Sequence, residues 1–125
     1  MSEIKVDTLT GKTTANDITV TVGATATMSL EQGLAKAWGH FDNDKTVDDS
    51  LNTSSLTDTA TGKHTVNFAN SMSSVNYCMP WTGFDTITGG TQSLSTSSCL
   101  FHTRTSGFSF TDKNDTIYVV HGDLA

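Results

Sequence analysis

The sequence predicts an all-β protein: a β-sandwich or jelly-roll-like domain preceded by an extended N-terminal β segment, with at most one short helix near residues 29–35. Three observations lead there. Apolar and polar residues alternate in short runs, the period of a strand with one buried face. Turn-forming residues separate those runs at intervals of roughly 8–15 residues, the spacing of a sandwich or barrel. Composition supplies the third: Ser and Thr make up roughly a third of the 125 residues, charged residues are 16%, and there is a single proline. Such a chain carries too little charge and proline for typical disorder. Its Thr, Val, Ile and aromatic side chains suit a pleated surface.

Two alternating runs open the chain. Ile4, Val6 and Leu9 form the first, and Ile18, Val20 and Val22 the second. Both imply strands with one apolar face, but a two-stranded ribbon is marginal alone in water. The segment must therefore lie against the rest of the chain or against copies of itself. Residues 23–27 are small and polar, a linker or a closely packed strand. Ser29 is placed to cap a helix over residues 30–35, and Ser29 with Gln32 has the form of a capping box. Gly33 weakens that helix by roughly 1 kcal/mol. These features divide the chain into an assembly or attachment segment, 1–28, and a β-sandwich domain, 29–125.

Period two returns at Ala35. Ala35, Ala37 and His40 fall on one side and Lys36, Trp38 and Phe41 on the other, with a slip at Gly39 that suggests a bulge. Residues 47–56 read as one weak strand and residues 57–62 as a hairpin connection. His64–Phe68 is a clear strand with Val66 and Phe68 inward. Val75, Tyr77 and Met79 alternate until Pro80, and Gly89-Gly90 reads as a turn. Residues 99–104, 107–110 and 116–122 supply the last strands. The expected core is Trp38, Phe41, Leu51, Leu56, Val66, Phe68, Tyr77, Phe101, Phe108, Phe110, Ile117 and Val119.

The net charge of −6 opposes generic nucleic-acid binding and attachment to anionic membranes. No secretory signal is expected, because Glu3 and Asp7 replace an apolar stretch. No apolar run is long enough to cross a membrane. Cys78 and Cys99 do not make a disulfide framework. They read as two small buried hydrophobes, although facing strands would let them bond.

No constellation of catalytic type stands out, so no enzyme activity, cofactor or metal is expected. The histidines at 40, 64, 102 and 121 have no metal-site spacing. Asp42, Asp44, Asp48 and Asp49 cluster at a turn but lack the glycine and terminal glutamate of a calcium loop. Gly11-Lys12-Thr13 lacks the upstream glycine of a phosphate loop, since position 6 is Val6. No nucleophile elbow occurs. Scattered aspartates such as Asp48, Asp85 and Asp115 read as turn residues rather than an acid pair. Aromatics are the best contact candidates: Trp81 and Phe84 share a loop bearing proline and glycine, with Tyr77 nearby. Aromatic faces stack on sugars and anchor interfaces.

The opening Ser2-Glu3-Ile4-Lys5-Val6-Asp7-Thr8-Leu9-Thr10-Gly11-Lys12-Thr13, with Asp17-Ile18-Thr19-Val20-Thr21, resembles the start of small tail-fibre-like virion proteins of marine bacteriophages. Gly33-Leu34-Ala35-Lys36-Ala37-Trp38 followed by Phe41 is similar to the next segment of that group. Residues Asp49 to Asp58, then Gly62 with Thr65-Val66-Asn67-Phe68, and Ser73-Ser74-Val75-Asn76-Tyr77 continue the likeness. It covers residues 2–77; the remainder shares only a strand pattern.

The resemblance implies a virion structural protein, usually a homotrimer, assembled in the host bacterial cytoplasm. Its N-terminal segment attaches, and its distal β-rich domain contacts the host, through a cell-surface glycan or protein. Ile4, Val6, Leu9, Ile18, Val20 and Val22 are then the assembly face, meeting sister chains or another virion protein. A closed cyclic oligomer needs one repeated contact and removes exposed strand edges. Two alternatives stay open: a capsid decoration protein, whose residues 1–23 grip the shell, and a free carbohydrate-binding module using Trp81.

Overall fold

A computed structural model of the chain describes residues 3–11, 18–42, 46–83, 88–112 and 115–125. The chain divides into two compact units, Met1–Leu34 and Ala35–Ala125. Residues 29–34, which the sequence grouped with the sandwich, fall in the first unit.

In the first unit, residues 3–11 form no strand. The alternation of Ile4, Val6 and Leu9 was expected to make one. Alternation sets the faces of a strand but supplies no neighbour for its N–H and C=O groups, and a run without a ladder partner stays irregular. The second run does form a strand, β1 (Thr19–Val22), which pairs antiparallel with β2 (Ala26–Ser29). Gly23, at φ 72°, opens the turn between them. Of residues 23–27, read as a linker or a closely packed strand, 23–25 form the turn and Ala26 and Thr27 begin β2. The helix is a single turn, α1 (Leu30–Gly33). Ser29 precedes it with extended dihedrals but makes no side-chain cap, so the capping box does not form.

The second unit is a sandwich of two four-stranded antiparallel sheets. The first contains β3 (Ala37–Phe41), β4 (Val47–Leu51), β7 (Trp81–Gly83) and β10 (Thr116–Val120), in the order β4-β3-β10-β7. The second contains β5 (Thr53–Ala60), β6 (Lys63–Phe68), β8 (Thr88–Leu94) and β9 (Ser98–Arg104), in the order β5-β6-β9-β8. Asn52 makes the corner between them. It adopts φ 54°, a region Asn tolerates better than most residues, and its Oδ1 accepts the Asn70 N–H at 2.6 Å. That corner splits the expected single strand over 47–56 into β4 and β5, which lie in different sheets.

The core lies between the sheets. Ala37, Phe41, Tyr118 and Val120 come from the first, and Val66, Phe68, Cys99 and Phe101 from the second. Met72, Tyr77 and Met79 join from the connection before β7, which forms no regular strand despite its alternation. Several expected core residues lie elsewhere. Strand β10 turns Thr116, Tyr118 and Val120 inward, leaving Ile117 exposed and Val119 half-buried. Trp38 is half-buried on the opposite face from Ala37 and Phe41, and Leu51, Phe108 and Phe110 are exposed. Strand β3 keeps its alternation through Gly39, and the expected irregularity lies one residue on, in its pairing with β4 between His40 and Phe41. Gly39 faces inward beneath the Tyr118 ring, where an added Cβ would lie 2.6 Å from the phenol oxygen.

Burial fixes the ionisation of both tyrosines. Desolvation pushes Tyr77 and Tyr118 each up to about 12, from 10.0 when free. The folded state thus holds these protons more tightly than the unfolded state. Their stabilising contribution is complete below pH 10 and is lost as pH climbs toward 12. Because Tyr77 and Tyr118 are the only tyrosines, phenolate absorbance should stay flat through pH 10 and rise together with loss of the β-sheet circular dichroism signal. A phenol titrating near 10 in the folded chain would contradict this packing.

Candidate functional site

The aromatic contact candidates do not form one surface. Tyr77 is buried, and its hydroxyl lies 2.9 Å from the carbonyls of both Ser95 and Ser98, tying the connection before β7 to the β8–β9 turn. Its ring packs on Phe68 at 5.8 Å, so it faces the core and not a receptor. Trp81 stands on β7, with its ring 5.5 Å from Phe101. Gly89 makes room for that indole: a Cβ there would meet Trp81 Cζ2 at 2.5 Å and the His102 carbonyl at 2.1 Å. Gly89-Gly90 thus lies within β8 and not at a turn. Phe84 lies outside the described residues.

The proposed assembly residues divide. Ile4, Val6 and Leu9 are 87%, 58% and 56% exposed, a density of large apolar surface that burial would favour. Ile18 and Val20 are half-buried, and the side chain of Val22 lies outside the described set.

The two outer faces of the sandwich differ in chemistry. On the first sheet, Leu51 is the cross-strand partner of Trp38, and Trp38 of Val119, while the Val119 N–H donates to Pro80. Ile117 is two residues from Val119 on the same face. Beside it is an open groove of about 250 Å³ lined by Pro80, Trp81, Thr82, Ile117, Tyr118 and Val119, without a charged group. This makes an apolar stripe across the sheet. The second sheet shows hydroxyls and amides instead: the Asn67 amide donates to Ser55 and Thr57, and Thr59 meets Thr65 at 3.1 Å.

Histidines organise the carboxylates. His40 lies on the outer face of β3, with Nε2 3.1 Å from Asp115 and Nδ1 3.4 Å from Asp48. Asp48, from the acidic turn, therefore faces a side chain, while Asp44 lies outside the described residues. His64 is 1% exposed, between the rings of Phe41 and Phe101. Its Nε2 lies 3.8 Å from Asp112 Oδ1, which also accepts the Gly62 N–H at 2.6 Å. Asp58 is the cross-strand partner of His64, and the ligating atoms of Asp58, His64 and Asp112 lie within 4.8 Å of one another. Two carboxylates and an imidazole form a donor set for a divalent cation. The arrangement also stands as a buried histidine paired with a carboxylate that anchors residues 111–112 to the β5–β6 turn.

A second constellation centres on Phe110. The Arg104 guanidinium lies 4.4 Å and Lys63 Nζ 5.0 Å from its ring centroid, and the His102 ring meets it edge-on at 5.8 Å. Strand pairing explains the convergence. Lys63 on β6 is directly opposite His102 on β9, and Arg104 follows two residues later on the same face. A cleft of about 160 Å³ adjoins them, lined by Gly89, His102, Arg104 and Phe108. Burial, then the charges of Arg104 and Lys63, pull His102 below its usual pKa, which favours the neutral imidazole. Sequence reading named none of these as site residues. The period-two signal of His102 and Arg104 was present, but their partner Lys63 is distant in sequence.

Cys78 and Cys99 are both free thiols. Cys99 is buried, and desolvation pushes it up to about 11, whereas Cys78 is exposed. Thiolate is the reacting species. One thiol per chain, that of Cys78, should exchange with a soluble disulfide reagent while the protein is folded, and the second only on unfolding. Two thiols reacting at equal rates in the folded chain would contradict the placement of Cys99.

No protein family, curated protein or solved structure matches the chain.

Proposed function

We propose that the chain is a non-enzymatic structural subunit of a bacteriophage particle. In this reading it is tail-fibre-like and homotrimeric: residues 3–11 assemble or attach, and the sandwich of residues 35–125 is displayed toward the host. The observation that carries the reading is the exposure of Ile4, Val6 and Leu9 in a segment without strand pairing. Each large aliphatic side chain left in water forgoes about 1.5–3 kcal/mol of burial free energy. A sister chain or a particle surface recovers it. The stripe of Leu51, Trp38, Val119 and Ile117 supports self-association in the same way, since one contact repeated around a threefold axis covers it in every copy. Trp81 offers less support for a free carbohydrate-binding module, because its ring packs on Phe101.

Cryo-electron microscopy of particles of the encoding phage tests the reading. Threefold density at the tail, matching the sandwich, is the expected result. The same density on the capsid surface would favour the decoration protein. Absence of the chain from purified particles would overturn both.

A further inference from the structure

We propose that the cleft bounded by Gly89, His102, Arg104 and Phe108 binds an acidic sugar residue, with its carboxylate on Arg104 and its ring face against Phe108. The inference rests on the reading that the sandwich is the displayed, host-contacting part, and it names the chemistry contacted.

Charge is the first support. The chain carries −6, yet among the described residues of the second unit the cations are Lys36, which is buried, and Lys63 and Arg104, which share one aromatic ring. Neither Lys63 nor Arg104 has a carboxylate partner among the described residues. A local positive field on an acidic molecule draws an anionic group to that one place on its surface. Arginine offers a planar fork that matches a carboxylate with two parallel hydrogen bonds. Stacking on Phe110 holds that fork in place.

Unsatisfied groups are the second support. Arg104 Nε and His102 Nδ1 are both buried without a hydrogen-bond partner. Such atoms carry a desolvation cost that a ligand oxygen or hydroxyl relieves when the side chain turns toward the cleft. A neutral His102 is able to accept from or donate to a sugar hydroxyl, according to its tautomer.

The third support is backbone strain beside the cleft. Phe108 adopts φ 64°, a left-handed conformation that is an outlier for a bulky side chain. A tight turn holds it there: the Phe108 N–H donates to Thr105 and the Thr105 N–H to Ser109, each at 2.9 Å. The ring so presented is 70% exposed. Strain and exposure of this kind persist where a side chain has a task, and an aromatic face beside an arginine suits the C–H face of a pyranose. At about 160 Å³ the cleft has room for one ring.

The test uses the purified full chain and immobilised polymers. Polygalacturonate presents carboxylated sugars, dextran neutral sugars, dextran sulfate sulfated sugars, and polyglutamate carboxylates without sugar. Polygalacturonate should bind, and dextran should not. Dextran sulfate and polyglutamate should bind about tenfold more weakly than polygalacturonate. Arg104→Gln should weaken polygalacturonate binding by about tenfold. Phe108→Gly removes the ring while relieving the strained backbone, so it should weaken binding without lowering the thermal midpoint. Lys45→Gln makes the same charge change in the same unit, at a residue remote from the cleft residues in sequence, and should leave binding unchanged. The inference is overturned if polygalacturonate does not bind, if polyglutamate or dextran sulfate binds as tightly, or if Lys45→Gln costs as much as Arg104→Gln. A chain that is present in particles but binds none of these polymers overturns this inference and leaves the structural-subunit reading standing. A chain that binds polygalacturonate through the cleft but is absent from particles does the reverse.

Discussion

Phe101→Ala is expected to cost about 3–5 kcal/mol, the range for emptying a buried phenylalanine site. Phe101 is fully buried in the middle of β9 and packs against both sheets. Its ring centroid lies 5.9 Å from Phe41, 5.5 Å from His64 and 5.5 Å from Trp81. Phe41 comes from the opposite sheet and Trp81 from its edge strand, so one truncation loosens two contacts that hold the sandwich closed, together with the His64 contact inside its own sheet. Domains of this size have only about 5–15 kcal/mol in hand, and this core is small. The urea midpoint should fall accordingly, while Phe101→Leu, which keeps most of the volume, should lose markedly less. A loss below about 1 kcal/mol would place Phe101 outside the core.

Gly39→Ala should be nearly as damaging, although it adds a single methyl group. The new Cβ would lie 2.6 Å from the Tyr118 hydroxyl and 2.8 Å from two of its ring carbons. Tyr118 is buried and its hydroxyl is hydrogen-bonded to Thr53 on the facing sheet, so the ring cannot swing aside without breaking that bond. Overpacking together with the lost hydrogen bond amounts to about 2–4 kcal/mol. Gly33→Ala is the matched control. There the nearest atom, at 2.8 Å, is the terminal methyl of the exposed Met28, which is free to move. The thermal midpoint should drop sharply for the first variant and hold for the second.

These two sites also show what was legible in the sequence. Alternation located β6 and β9 and turned Val66, Phe68 and Phe101 inward, because these large apolar residues share a face with their neighbours two positions away; the inward His64 and Thr103 carried no such signal. In β10 the run Ile117-Tyr118-Val119-Val120 is apolar on both faces, so period two finds the strand but not its parity. In β3 the central inward position, between Ala37 and Phe41, is a glycine, which has no side chain to reveal its face, and Trp38 outweighed it. The extended first run failed for a different reason: pattern alone does not supply a partner strand. The cation cluster was half legible. His102 and Arg104 share a face by spacing, but Lys63 reaches them only through the pairing of β6 with β9.

The account rests on residues 3–11 being an assembly element and not part of a single-chain core. Changing Ile4, Val6 and Leu9 together to serine and weighing the chain by light scattering tests that most directly. The unaltered chain should weigh as a trimer of 13.3 kDa subunits, and the triple variant as a 13.3 kDa monomer that keeps its β-sheet circular dichroism signal. A variant that keeps the mass of the parent, or a parent that is itself a monomer, would contradict the account.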